Sequence, residues 1–228
     1  DSLSEFESSK TIELMEKNIT DDSSSNMLFM QQGLFKTKVL AELPRMSSAS
    51  NTYFVLTAHV GEKKDMRTGP AAYGAMPKDL QHMKADEKLK GVSSKFSFLT
   101  SSLWQATSVS LLKNPTTKLA EYPRDKDESL DTDLNIVNLK QLRSKTGTSG
   151  YILPIIVSQM YGVQPELTEF HYIKSNDRYG MDGNNTSYSL TIYPECKLGR
   201  TTIWTKIIED SKLRRALNIT SDLLQLHK

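Results

Sequence analysis

Thr52-Tyr53-Phe54-Val55-Leu56-Thr57 is the stretch on which the reading of the fold turns. It is β-branched and aromatic without interruption, and a continuous apolar run of this length is the pattern of a strand covered on both faces, as in a parallel sheet. The run ends on Ala58-His59. Behind it, residues 60–90 show no sustained periodicity and hold Gly61, Gly69, Pro70, Gly74 and Pro77, with one helical turn expected over Lys78–Met83. Connections this long without structure of their own are uncommon unless they are functional. Ahead of the run, Met27, Met30, Leu34, Val39 and Leu43 recur near helical spacing behind Asn26 as N-cap, and Pro44 ends that helix or starts a new turn.

Working further outward, Val92–Leu99 reads as a short helix and Leu103–Leu112 as an alternating strand. Lys113–Asp133 is a polar crossover. Leu134–Leu142 is again strand-like, Thr146–Gly150 is a tight turn, and Tyr151–Val157 is its hairpin partner. Beyond Gln164 the character changes: a helix over Pro165–Tyr172, a turn at Asp182-Gly183-Asn184-Asn185, a strand over Tyr188–Tyr193, and two closing helices at about 200–208 and 211–226, with Asp210 or Ser211 capping the second.

Composition excludes several classes. Across 228 residues the net charge is only +2, so any nucleic-acid reading rests on local clusters rather than a global field. The single Cys196 rules out an internal disulfide framework and fits a reducing, cytoplasmic setting. No apolar run approaches a membrane span, so no membrane association is expected, and the acidic, serine-rich start does not read as a signal peptide. A first residue other than methionine suggests a processed product, a truncation or a partial gene.

Four features stand in a telling order. Asp1-Ser2 opens the chain at an apparent strand end. His59 closes the apolar run. A cationic loop follows, with Lys63, Lys64, Arg67, Lys78, Lys84, Lys88 and Lys90 against fewer acids and with Tyr73 and Met76 interleaved, and it leads into Lys90-Gly91-Val92-Ser93-Ser94-Lys95-Phe96. Last comes Arg143-Ser144-Lys145-Thr146-Gly147-Thr148-Ser149-Gly150 between two strands. This order resembles the second half of a RecA-type ATPase core entered at its Walker B strand, and the final turn resembles the paired-cation hairpin of RecA recombinases and DnaB-type helicases. The resemblance covers roughly residues 1–160. The short motifs look viral, most like phage recombination or helicase proteins.

The resemblance implies an α/β fold: an incomplete RecA-like, mostly parallel sheet flanked by helices over residues 1–163, with a small helical or α+β extension over 164–228. It further implies that Asp1, with Ser2, orients Mg²⁺ beside ATP and that His59 senses the nucleotide. Lys63, Lys64, Arg67, Lys84, Lys88 and Lys90 would hold single-stranded DNA, and Arg143 with Lys145 would complete the site of a neighbouring copy in a ring or filament. The implied activity is a DNA-dependent ATPase in phage recombination or replication, acting in the host cytoplasm, or a DnaB-like helicase. The phosphate loop G-x-x-x-x-G-K-[ST] is missing, since Gly69 to Gly74 runs into Ala75-Met76. Other readings stay open: a non-catalytic RecA-like DNA-binding module, or a viral structural protein. At each motif a plain alternative also stands, namely a frayed terminus, a structural histidine, a solvated loop, an ordinary hairpin with exposed cations. The basic residues of the last two helices, Arg200, Lys206, Lys212, Arg214 and Arg215, are read as a solvated face rather than a DNA-binding helix pair.

Overall fold

The computed structural model describes residues 9, 12, 13, 25–64, 78–90, 92, 94–124, 132–184 and 187–227. In order these form helix α1 (Ser25–Ser50), strands β1 (Val60–Glu62) and β2 (Glu87–Leu89), helix α2 (Ser94–Leu99), and strands β3 (Ser102–Leu111), β4 (Leu134–Ser144), β5 (Ile152–Ser158) and β6 (Gly162–Val163). Helix α3 (Pro165–Ser175), strands β7 (Met181–Asn184), β8 (Ser187–Leu190) and β9 (Tyr193–Leu198), and helices α4 (Ile203–Glu209) and α5 (Ser211–His227) follow. The chain divides into two compact units: residues 1–104 with 141–150, and residues 105–140 with 151–228. The boundary expected at 163/164 falls inside the second unit. Among the described residues no helix is long and apolar enough to cross a membrane.

The expected mostly parallel RecA-like sheet with a small C-terminal extension is overturned. The strands form three small sheets, β1-β2, β3-β4-β5-β6 and β7-β8-β9, and every pairing is antiparallel. For the pairs from β4–β5 onward connection length is the physical reason, because parallel neighbours need a crossover of about a dozen residues or more whereas a short turn leaves only antiparallel pairing. β4 returns as β5 through one tight loop, in the register Leu134↔Ser158 to Lys140↔Ile152, and β8 returns as β9 through Thr191-Ile192. The β3–β4 connection is long enough to cross over but doubles back instead. Lys113 bridges Ala120, and Leu112 N–H donates to the Leu134 carbonyl at 2.9 Å.

Residues 52–57, expected as a strand buried on both faces of a parallel sheet, form no strand. Tyr53, Phe54, Val55 and Leu56 are exposed. Pro44 does not end α1 but lies within it, so one backbone hydrogen bond is lost while the helix runs on to Ser50. The hairpin expected from 134–142 and 151–157 is present, as are helices over the expected stretches near 165, 203 and 211. β9 begins where the strand expected over Tyr188–Tyr193 ends.

The main core belongs to the second unit. Leu112, Tyr122, Leu134 and Ile156 meet Leu167, Phe170 and Ile173 of α3, Tyr188, Leu190 and Leu198 of the last sheet, and Ile203, Trp204, Leu213 and Leu217 of α4 and α5. Leu167, Phe170 and Ile173 recur at helical spacing, so α3 buries one face. Its start is stitched to β5: Gln164 N–H donates to the Ile156 carbonyl at 2.9 Å, and Ile156 N–H donates to Thr168 Oγ1 at 2.9 Å. α5 begins on Asp210, whose Oδ1 accepts the Lys212 and Leu213 amides at 2.9 and 3.1 Å. These amide bonds, that of Leu213 foremost, hold the Asp210 carboxyl below its ordinary range. Among the described residues the first unit has two small clusters, Leu40 with Leu43, Ala58 and Val92, and Leu80, Met83 and Leu142 with Leu103.

Candidate nucleic-acid interface

The expected site residues fall into three groups. Asp1, Ser2 and Arg67 lie outside the described residues, so the Mg²⁺ and ATP contacts expected of Asp1 and Ser2 do too. His59, Lys63, Lys64, Lys84, Lys88 and Lys90 lie on or beside the β1–β2 ribbon, and Arg143 and Lys145 lie at the β4 turn, all in the first unit.

The ribbon is a two-stranded antiparallel ladder in the register Val60↔Leu89, Gly61↔Lys88 and Glu62↔Glu87. A further hydrogen bond extends it at each end: Lys90 N–H donates to the His59 carbonyl at 2.8 Å, and Lys63 N–H donates to the Asp86 carbonyl at 2.6 Å. Because side chains alternate across a strand, this register sorts residues 59–63 and 86–90 onto two faces. His59, Gly61, Lys63, Asp86, Lys88 and Lys90 share one, and Val60, Glu62, Glu87 and Leu89 share the other. Three lysines and a histidine thus stand together against one aspartate, while both glutamates fall on the opposite side. Gly61 makes room on the cationic face. A Cβ there would meet the Lys90 side chain at 3.7 Å, so the Lys90 stem lies across the glycine.

Local pairing tempers that face. Lys63 Nζ is 2.7 Å from Asp79 Oδ1, both partly buried, and the exposed Lys84 is 3.4 Å from Glu87 Oε1. Lys64, Lys88 and Lys90 are exposed, and so is His59. The expectation that these residues act together was legible as residue type. Its geometry was not, although the period-two spacings His59-x-Gly61-x-Lys63 and Asp86-x-Lys88-x-Lys90 carried the face assignment once pairing was known.

The β4 turn has a different architecture. Ser144 Oγ accepts the amides of Thr146 and Gly147, each at 3.2 Å, and Gly150 N–H donates to the Gln141 carbonyl at 2.8 Å. The two cations reach the end of α2. Arg143 Nη2 reaches the Phe98 carbonyl at 3.5 Å with its guanidinium 5.0 Å from the Phe98 ring centre, and Lys145 Nζ donates to the Leu99 carbonyl at 3.1 Å. The last carbonyls of a helix lack intrahelical donors and carry partial negative charge, so two cations there satisfy a local need. Arg143, Ser144, Lys145 and Ser149 also line a cavity of about 410 Å³ with Asp79, Leu80, Gln81, Phe98 and Leu142.

A set of bonded titratable side chains that was not anticipated lies in the second unit. Tyr122 Oη and His171 Nδ1 are 2.9 Å apart, Lys174 Nζ is 2.6 Å from Glu121 Oε1, and Asn114 Nδ2 donates to Glu121 Oε2 at 3.2 Å. Arg200 Nε donates to the carbonyls of Ala120 and Glu121 at 3.0 and 3.1 Å. Burial pushes the Tyr122 hydroxyl well above its ordinary value. Burial, helped by the Lys174 charge and opposed by Glu121, holds the His171 imidazole below its ordinary value. Every member bonds to another, and the set ties the 113–124 segment to α3 and to Arg200. Among the described residues no group of three or more His, Cys, Asp or Glu side chains is arranged to hold a metal ion. No protein-family model matches the chain, and no curated protein matches it.

Proposed function

We propose that this chain binds single-stranded nucleic acid through the His59/Lys63/Lys88/Lys90 face of the β1–β2 ribbon, as a binding module. The observation that carries this reading is the ladder register, which gathers the cations on one face and leaves Glu62 and Glu87 on the other. Lys88 and Lys90 stand about 6.8 Å apart along the strand, suited to a phosphate backbone running over them, with Lys64 at the ribbon's end. The exposed His59 ring offers a stacking surface for an unpaired base, a contact available to single strands and denied to bases inside a duplex. Hydrolysis of ATP is left out of the proposal. It required a parallel sheet presenting Arg143 and Lys145 to a neighbouring nucleotide, and here both cations donate to the carbonyls that end α2.

Fluorescence anisotropy with a labelled oligo(dT), titrated at several salt concentrations, tests the reading. Binding is expected to weaken steeply with salt, and Lys88→Gln with Lys90→Gln is expected to flatten the log–log slope by about 1.4, from a coefficient of about 0.7 per phosphate contact on a single strand. His59→Ala is expected to remove about 1–3 kcal/mol without changing that slope. Absence of binding at low salt, or equal binding by wild type and the double lysine variant, rules the ribbon out.

A further inference from the structure

We propose that the cavity beside the β4 turn is a second anion site, which takes a phosphate monoester carried on a small organic body. Its lining lies entirely within the first unit. At about 410 Å³ it falls in the range of about 300–1,000 Å³ typical of small-molecule sites, so it has room for more than a bare ion. Arg143, Lys145 and the hydroxyls of Ser144 and Ser149 supply its donors. The contacts that fix the two cations leave donors over. Arg143 gives one N–H of its fork to the Phe98 carbonyl, and Lys145 gives one of its ammonium hydrogens to the Leu99 carbonyl. The backbone of the turn is tied down as well, with Lys145 N–H donating to the Ser101 carbonyl at 2.9 Å and Gly150 N–H to the Gln141 carbonyl at 2.8 Å. Both cations are therefore positioned before a ligand arrives, which lowers the ordering cost of binding.

Charge and shape select the occupant. The carboxylate in the lining, Asp79, is paired with Lys63 at 2.7 Å, so an arriving anion meets the field of Arg143 and Lys145. A guanidinium grips phosphate oxygens in pairs, and an ammonium adds a point charge. A phosphate monoester brings three terminal oxygens and a charge of about −1.5 to −2 at pH about 7. That is enough to engage the guanidinium, the ammonium and a hydroxyl together. A carboxylate or an internal phosphodiester brings a single charge and fewer free oxygens. The buried Leu80 and Leu142 and the exposed Phe98 give apolar wall for the organic body. The inference goes beyond the ribbon and does not depend on the ribbon binding a strand. Two sources carry the same chemistry, a free phosphorylated metabolite and the terminal phosphate of a nucleic-acid strand.

Isothermal titration calorimetry on the whole chain at low salt, with phenyl phosphate, phenol and inorganic phosphate, is the first test. Phenyl phosphate is expected to bind, with phenol and inorganic phosphate each weaker by at least about tenfold. Arg143→Gln and Lys145→Gln are each expected to weaken phenyl phosphate by about tenfold or more, and Lys145→Arg to retain most of the binding. Amide chemical shifts of the wild-type chain give a second test that needs no variant. Phenyl phosphate is expected to move Phe98, Leu99 and residues 143–149 and to leave Lys88 and Lys90 in place. Oligo(dT) with and without a 5′-phosphate separates the sources. A gain from the phosphate that Arg143→Gln removes assigns the site to a strand end, and equal affinity assigns it to a free metabolite. No binding of phenyl phosphate, equal binding of phenol or inorganic phosphate, indifference to both glutamine variants, or shifts confined to the ribbon would each overturn the proposal.

Discussion

The two units of this chain differ in how they use apolar residues. The unit of 105–140 and 151–228 gathers its large side chains into one core around Tyr122, Phe170, Tyr188 and Leu217, locked at its margin by the Glu121–Lys174 pair and the Tyr122–His171 contact. Among the described residues of the unit of 1–104 and 141–150, buried apolar side chains gather around Leu40 in one place and around Leu80, Met83 and Leu142 in another, while Tyr53, Phe54, Val55 and Leu56 are exposed. One unit invests its hydrophobic residues in its own stability. Among its described residues the other leaves the 53–56 run and part of a cationic ribbon exposed.

The sharpest way to break that comparison is a matched pair of core deletions. Phe170→Ala is expected to destabilise the second unit by about 3–5 kcal/mol, read from urea unfolding, because it empties a fully enclosed aromatic site. Leu40→Ala in the first unit is expected to fall near the low end of the leucine range, about 2 kcal/mol, since its cluster is small and free to collapse. Equal losses would mean that the two units are built alike.

Gly150 sharpens the picture of the first unit. Its φ is +101°, and a Cβ there would meet the His82 ring at 2.6 Å. Gly150→Ala is expected to lower stability by about 1–3 kcal/mol, and His82→Ala is expected to recover the steric part but not the backbone part. Thermal melts of the two single variants and the double variant separate the two.

A pH series probes the second unit. His171 has a folded pKa below its unfolded value, so between the two the unfolded chain binds more protons. Its contribution to stability is therefore present above pH about 6.5 and is lost as pH falls through the folded value. Tm measured from pH about 8 down to about 5, above the ordinary carboxylate range, is expected to fall for wild type and to fall less for His171→Gln. A wild-type profile as flat as the variant's would remove His171 from the account.

The smallest effect concerns the β4 turn. Arg143→Gln and Lys145→Gln each remove a cation from the carbonyl end of a six-residue helix. Each is expected to destabilise by about 0.3–1 kcal/mol, with amide exchange near Phe98 and Leu99 quickening. A far larger loss would show that these cations hold more of the unit together than one helix end.

Elements set by local chemistry are legible in the residues alone. The 134–142 and 151–157 runs are strand-like and flank a glycine turn, so their hairpin is readable. Pro165 at the start of α3 and Asp210 at the cap of α5 mark helix starts that the structure keeps. The 52–57 run misleads for a definite reason. Strand propensity measures fitness for a half-buried pleated surface, and the run cannot report whether any strand lies alongside it. Arg143 and Lys145 stand out as a pair, but the acceptors they reach, the carbonyls of Phe98 and Leu99, are backbone groups that no side-chain motif reveals.

By itself, then, the sequence determined where α3, α5 and the 146–150 turn begin, that charge is local rather than global, and which residue types crowd residues 59–90. Only the tertiary structure decided that the sheets are antiparallel, that residues 164–228 help build the main core, and that His59, Lys63, Lys88 and Lys90 share a face. The reason is range. Caps, turns and periodicities act over a few residues, whereas sheet direction and strand register are settled by pairings between distant segments, whose energies depend on what each segment meets.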